Sequence, residues 1–180
     1  MRINHRARYL LTVAVIICLD QVTKFLIRYF VNPGEIIRVF NNDMIWLVYV
    51  LNPGMAFGIR VIPPFVLMII TFTAAVGLGI FIYRNPSLTP WQGIPFSLIM
   101  GGAVGNFIDR IIRGEVIDFL SVNMPDFIML RFPAFNVADS AISVGITSLI
   151  VISFFRGEPR RTEEFPENKS WSVDTGYEDR

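Results

Sequence analysis

Four long apolar stretches divide the chain, over residues 9–30, 65–83, 94–112 and 135–155. Each approaches the roughly 20 residues that a helix needs to cross a ~30 Å hydrocarbon layer at ~1.5 Å per residue. The pattern predicts four transmembrane helices. Between the first two, residues 35–40 and 44–51 are rich in Ile, Val, Trp and Tyr and flank Asn41, Asn42 and Asp43, which predicts an outer β-hairpin over about 35–51. Asn52-Pro53-Gly54-Met55-Ala56-Phe57-Gly58 reads as a breaker-rich loop whose Phe57 packs at the membrane surface. From Arg156 onward charges alternate with Pro, Ser and Gly, so residues 156–180 are expected to form a disordered tail behind a membrane domain of residues 1–155.

Composition supports a bilayer as the solvent. Hydrophobic residues make up 53% of the 180 and charged residues only 17%, unlike a water-soluble domain of this length. A net charge of +1 with dispersed basic residues excludes the basic stripe of a nucleic-acid binder. Cys18 and His5 are the sole residues of their types, which excludes an intramolecular disulfide and a Cys/His metal cluster. Arg2, Arg6 and Arg8, the apolar residues 10–17 and then Cys18 imitate a lipoprotein signal peptide. Ile17 is too large for the position before a cleaved bond, and apolar sequence resumes after Lys24, so an uncleaved first helix is expected.

Flanking charge gives an orientation. Residues 1–8, 84–93 and 156–180 hold nine Lys/Arg: Arg2, Arg6, Arg8, Arg84, Arg156, Arg160, Arg161, Lys169 and Arg180. Residues 31–64 and 113–134 hold four: Arg38, Arg60, Arg113 and Arg131. The positive-inside rule then predicts cytoplasmic termini.

Polar residues interrupt the apolar stretches and collect towards the outer end. An ionisable group at the centre of the hydrocarbon costs about 2.5–3.5 kcal/mol, so each one needs a partner or a function. Asp20 and Lys24 stand four apart, acid first, as a helical ion pair does. Asn106, Asp109 and Arg110 share one turn at the end of the third stretch, and Asp109 also reaches Arg113. The planar donors of Arg110 suit a carbonyl or carboxylate, or the headgroup layer. Gly101 and Gly105, four apart, predict close helix packing. Asp118 lies among Ile117, Phe119 and Leu120, just beyond the third stretch. At the start of the fourth, Asn136 has the position of an N-cap and Asp139 that of a first-turn acid. Asp118 and Asp139 fall on the same outer face. Two carboxylates at one site can divide the roles of base and acid for hydrolysis by an activated water. Residue chemistry alone does not separate Asp118 from Asp109 as the partner of Asp139. Ser140 and Ser143 lack a nearby His or Lys partner.

This constellation resembles the lipoprotein signal peptidases (signal peptidase II) of bacteria. The resemblance rests on Asp20-Gln21-Val22-Thr23-Lys24, Asn52-Pro53-Gly54-Met55-Ala56-Phe57, Gly105-Asn106-Phe107-Ile108-Asp109-Arg110, Val116-Ile117-Asp118-Phe119 and Phe135-Asn136-Val137-Ala138-Asp139. It implies a mainly α-helical integral membrane protein with four transmembrane helices, a small extracytoplasmic β-sheet that cradles substrate, and a short extracytoplasmic helix. The implied activity is that of an intramembrane aspartic endopeptidase that cuts diacylglyceryl-modified prolipoproteins just before the lipidated cysteine. Asp118 and Asp139 would be the catalytic pair, with Asn52, Gly54, Asn106, Arg110 and Asn136 positioning substrate and pair, and Asp20, Lys24 and Asp109 in support. No metal or cofactor is implied. The expected partners are prolipoprotein substrates and membrane lipids, and the expected setting is the bacterial inner membrane, with the protein acting as a monomer. A small transporter or channel subunit that uses Asp20, Asp109 and Asp139 is the alternative, although a relay should place acids at several depths. An inert scaffold leaves the carboxylates unexplained.

Overall fold

A computed structural model describes residues 5–39, 44–54, 62–123 and 132–155. The expected turn at 41–43, the loop residues 55–58, the residues Pro125 and Phe127, whose apolar groups are expected to cover the outer site and exclude water, and the tail 156–180 lie outside the described residues. Four long helices and three strands follow in the order α1 (His5–Phe30), β1 (Ile36–Arg38), β2 (Ile45–Asn52), α2 (Pro64–Arg84), α3 (Pro90–Arg113), β3 (Val116–Val122) and α4 (Val137–Phe155). The short outer helix implied by the resemblance has no counterpart among these elements.

Local chemistry sets the helix bounds. Pro64 and Pro90 open α2 and α3, where a missing N–H costs no helical bond. That is why α3 begins at Pro90 rather than near residue 94. Its end is Gly114, whose φ of 77° is a left-handed cap that glycine adopts without strain, and the Gly114 N–H bonds to Arg110 O at 3.0 Å. α4 begins at Val137 rather than at residue 135, because Phe135 pairs with Leu120 of β3 and Asn136 becomes the cap.

Polarity is inverted relative to a water-soluble bundle. The buried face of α1 carries Tyr9, Val13, Asp20, Lys24 and Ile27, while Leu10, Leu11, Val15, Leu19 and Phe25 are exposed. Hydrocarbon accepts such an outer surface, and the polar groups find partners only inside. Among the described residues, α1, α2 and α4 are long and apolar enough to cross a membrane. α3 is less apolar because its buried positions include Gly93, Ser97, Gly101, Gly102, Gly105, Asn106 and Asp109. It packs against all three other helices, so those small and polar residues face protein.

The strands form one antiparallel sheet in the order β1-β2-β3. The register pairs Ile37 with Leu47, Val50 with Asp118 and Asn52 with Val116, with an irregularity between Leu47 and Val50. At the other edge of β3, Leu120 and Phe135 exchange backbone bonds of 2.9 Å in each direction. Ile27 of α1 and Val31 just beyond it pack with Ile117 and Phe119, joining the sheet to the bundle.

Candidate active site

The site is assembled where β2, β3, α3 and the start of α4 meet. Asn136 and Asp139 cap α4 reciprocally: the Asp139 N–H bonds to Asn136 Oδ1 at 2.9 Å and the Asn136 N–H to Asp139 Oδ2 at 3.2 Å. The capping suggested by their spacing therefore coexists with a second role. Asn136 Nδ2 donates to Asp118 Oδ1 at 2.7 Å, and Asn106 Nδ2 to Asp139 Oδ1 at 2.7 Å. A further bond runs from Asn136 Nδ2 to Asn106 Oδ1 at 3.2 Å, so two asparagines tie both carboxylates into one network.

The other oxygen of Asp118 accepts from Asn52 Nδ2 at 2.8 Å. Asn52 is held in turn by Gly54, whose N–H bonds to Asn52 Oδ1 at 2.9 Å. Gly54 has a φ of 103°, in the left-handed region, and a Cβ there would strike Leu67. The motif thus uses glycine to bend the chain back onto the amide that holds Asp118. Asp118 itself is buried, whereas Asp139 is half-buried and more open. Burial pushes the Asp118 carboxyl from its ordinary 3.8 up to about 6. The Asn52 bond opposes that rise and the neighbouring charge of Asp139 adds to it. Arg110 donates to Asn106 O at 3.2 Å, and its charge lies near enough to Asp139 and Asp118 to act on both.

Asp20, Lys24 and Asp109 form a fully buried ion cluster beside this network. Lys24 Nζ contacts Asp20 Oδ2 and Asp109 Oδ2, each at 2.8 Å, and Asn106 Oδ1 at 3.0 Å. Asp109 Oδ1 pairs with Arg113 at 2.5 Å, and Asp109 Oδ2 accepts the Ile117 N–H at 3.2 Å. Both oxygens of Asp109 thus accept from Lys24, Arg113 and the Ile117 N–H, while Asp118 shares one of its two asparagines, Asn136, with Asp139. The two acids, alike as residue types, therefore differ in their partners. Asp20 Oδ1 accepts the Ala138 N–H at 3.0 Å, so the first helix satisfies an orphan donor at the start of the fourth. Gln21 was given no role by sequence reasoning, yet its Nε2 reaches Asp20, Asp109 and Gly105 O. Its position beside Asp20 was the available signal.

Glycines permit these contacts. A Cβ at Gly105 would lie 2.6 Å from Asp20 Oδ2, and one at Gly101 2.9 Å from Ile16 Cβ. The four-residue spacing thus brings α1 close enough to α3 for its carboxylate to enter the network.

Helices long and apolar enough to cross a membrane thus carry, at one end of the bundle, two carboxylates tied into one amide network. The chain belongs to the signal peptidase II family, described as Signal peptidase (SPase) II, which it matches over residues 12–155. It is 40% identical over 153 residues to the lipoprotein signal peptidase of Brevibacillus brevis, covering 85% of this chain and 99% of that protein. With the lipoprotein signal peptidase of Geobacillus thermodenitrificans it shares 35% identity over 156 residues, or 87% and 95% of the two chains. A bacterial membrane enzyme solved by the in meso method at 2.3 Å superimposes with a TM-score of 0.74 at 29% identity, covering 87% of this chain and 93% of that one. The chain is thus a bacterial membrane enzyme, and family membership removes the ground for the transporter alternative.

Proposed function

We propose that Asp118 and Asp139 perform the hydrolysis by which this signal peptidase II family member removes signal peptides from prolipoproteins. The single observation that carries the reading is the linkage of both carboxylates through Asn136 and Asn106. Asp118, the buried member, holds the proton and gives it to the scissile carbonyl oxygen. Asp139, the more open member, takes a proton from the attacking water. The proton then passes to the departing amine as the tetrahedral intermediate collapses. Asn106 and Asn136 fix the two carboxylates, Arg110 steers substrate carbonyls, and Asn52 and Gly54 hold Asp118 from the sheet. The scissile bond precedes a diacylglyceryl-modified cysteine, and the protein works as a monomer among membrane lipids.

Purified protein in detergent is expected to cleave a diacylglyceryl-modified prolipoprotein and to leave the unmodified form intact, as resolved by mass spectrometry. Equal cleavage of both would remove lipid recognition from the reading. The proton on Asp118 sets the pH dependence. Because the ionised form accumulates above about 6, kcat/KM should fall as pH rises through that value. The corresponding limb of kcat should lie at higher pH, since bound substrate expels water and further disfavours the charge. A kcat/KM profile flat from about pH 5 to 8 would contradict this assignment.

All four helices cross the membrane in this reading, with both termini cytoplasmic and the sheet and carboxylate pair near the outer face. The supports are the length of α3 and its enclosure by α1, α2 and α4, together with the excess of basic residues at the termini and the α2–α3 connection. In a Cys18→Ser background, Pro33→Cys should react with an impermeant thiol reagent from outside the cytoplasmic membrane, whereas Pro86→Cys should react only after lysis. The reverse pattern would invert the orientation.

A further inference from the structure

Lys24 touches neither Asp118 nor Asp139, yet one of its three contacts leaves the buried ion cluster and enters the carboxylate network. Its Nζ donates to Asn106 Oδ1 at 3.0 Å, and the same amide donates from Nδ2 to Asp139 Oδ1 at 2.7 Å. We propose that Lys24 is a positioning residue for hydrolysis, its buried ammonium holding the Asn106 amide so that the NH2 side, not the carbonyl, faces Asp139. The inference rests on the reading of Asp118 and Asp139 as the reacting pair.

The chemistry of the groups dictates the amide's orientation. An ammonium has only hydrogens to offer, so it takes the carbonyl end of Asn106 and leaves Nδ2 for the carboxylate. The alternative orientation would set NH2 against NH3+ at one end and a carbonyl against Asp139 at the other. Asn136 Nδ2 also donates to Asn106 Oδ1, but this is a weak lock. Its two hydrogens face three acceptors, with Asp118 Oδ1 at 2.7 Å and both Ile117 O and Asn106 Oδ1 at 3.2 Å. The remaining Lys24 contacts, to Asp20 and Asp109, keep the ammonium in place and balance its charge inside the bundle.

The charged groups around this relay come from three elements. Asp20 faces Lys24 from its own helix, and Asp109, backed by Arg113, faces it from α3. Arg110 of α3 acts on Asp139 and Asp118, and Asp118 of β3 interacts with both Asp139 and Lys24. Of these, Lys24 is the one bonded to the amide oxygen, so its loss frees the amide to turn and accept instead of donate. A carbonyl facing Asp139 favours the protonated carboxyl, which misassigns the proton in the pair.

The test compares Lys24→Met with Asp20→Asn/Lys24→Met, a charge-neutral double change that keeps the fold if the single variant leaves Asp20 uncompensated. Cleavage of diacylglyceryl-prolipoprotein by each folded variant is measured as kcat and KM across pH. The expected result is a kcat about 10- to 100-fold lower with KM nearly unchanged, the scale of one hydrogen bond to a charged group. The pH–kcat profile should move to higher pH by about one unit or more. In an Asn106→Ala background, removing Lys24 should change kcat less than about three-fold, since the amide it orients is gone. A profile that stays at the wild-type pH while activity falls with the folded fraction would assign Lys24 to stability alone and overturn the proposal. Cleavage surviving in Asp118→Asn or Asp139→Asn would instead overturn the reading of the pair, an outcome separate from the Lys24 measurements.

Discussion

Gly102→Leu should lose most of its folded protein from the membrane, whereas Gly77→Leu should accumulate as wild type does. A Cβ at Gly102 would press on the backbone oxygen of Ala138 and lie 2.8 Å from Ile142 Cγ1. Backbone cannot rotate out of the way as a side chain can, so α3 and α4 must separate. That separation carries off the Ala138 N–H held by Asp20 and the Asp139 oxygen held by Asn106. Overpacking of this kind destabilises by about 3 kcal/mol or more, which corresponds to roughly 6–12 °C in the thermal midpoint of a chain of this size. Gly77 is exposed on α2 and has nothing within 4 Å of a built Cβ, so leucine there only adds apolar surface. Thermal unfolding in detergent and membrane abundance read both variants. Equal midpoints for the two would mean that the α3–α4 contact is looser than these distances state.

The helices are legible because apolar runs of this length have few other uses, and the i,i+4 spacing marks the Asp20–Lys24 pair. Other features lie beyond sequence periodicity. β3 has no alternation to detect, since Val116, Ile117, Asp118 and Phe119, which point alternately to its two faces, are all buried. A strand buried on both faces loses the period-two signal. Asp109 and Asp118 were indistinguishable as acids beside apolar neighbours. What separates them is long-range pairing: Lys24 and Arg113 take the first, Asn52 and Asn136 the second. The spacing of Asn136 and Asp139 spoke for helix capping, and the cap forms, but the free amide of the same asparagine reaches Asp118.

Asp118→Asn and Asp139→Asn should each reduce cleavage by a factor of about 1,000 or more while the protein still inserts and folds. Asparagine keeps the volume of aspartate but neither takes nor supplies the proton, and general acid–base catalysis accounts for up to about 10,000-fold. The double variant should be scarcely worse than either single one, because two groups that pass one proton lose their function together. Asp109→Asn should behave differently. Its carboxylate neutralises Lys24 and Arg113 and accepts the Ile117 N–H, so its loss should lower abundance or rate without ending the chemistry. The most direct measurement is therefore the cleavage rate of diacylglyceryl-prolipoprotein by Asp118→Asn and Asp109→Asn, purified side by side and normalised to folded protein. The expected result is a rate about 1,000-fold or more below wild type for the first and a readily measured rate for the second. Substantial cleavage by Asp118→Asn alongside a null Asp109→Asn would contradict it and make Asp109 the partner of Asp139.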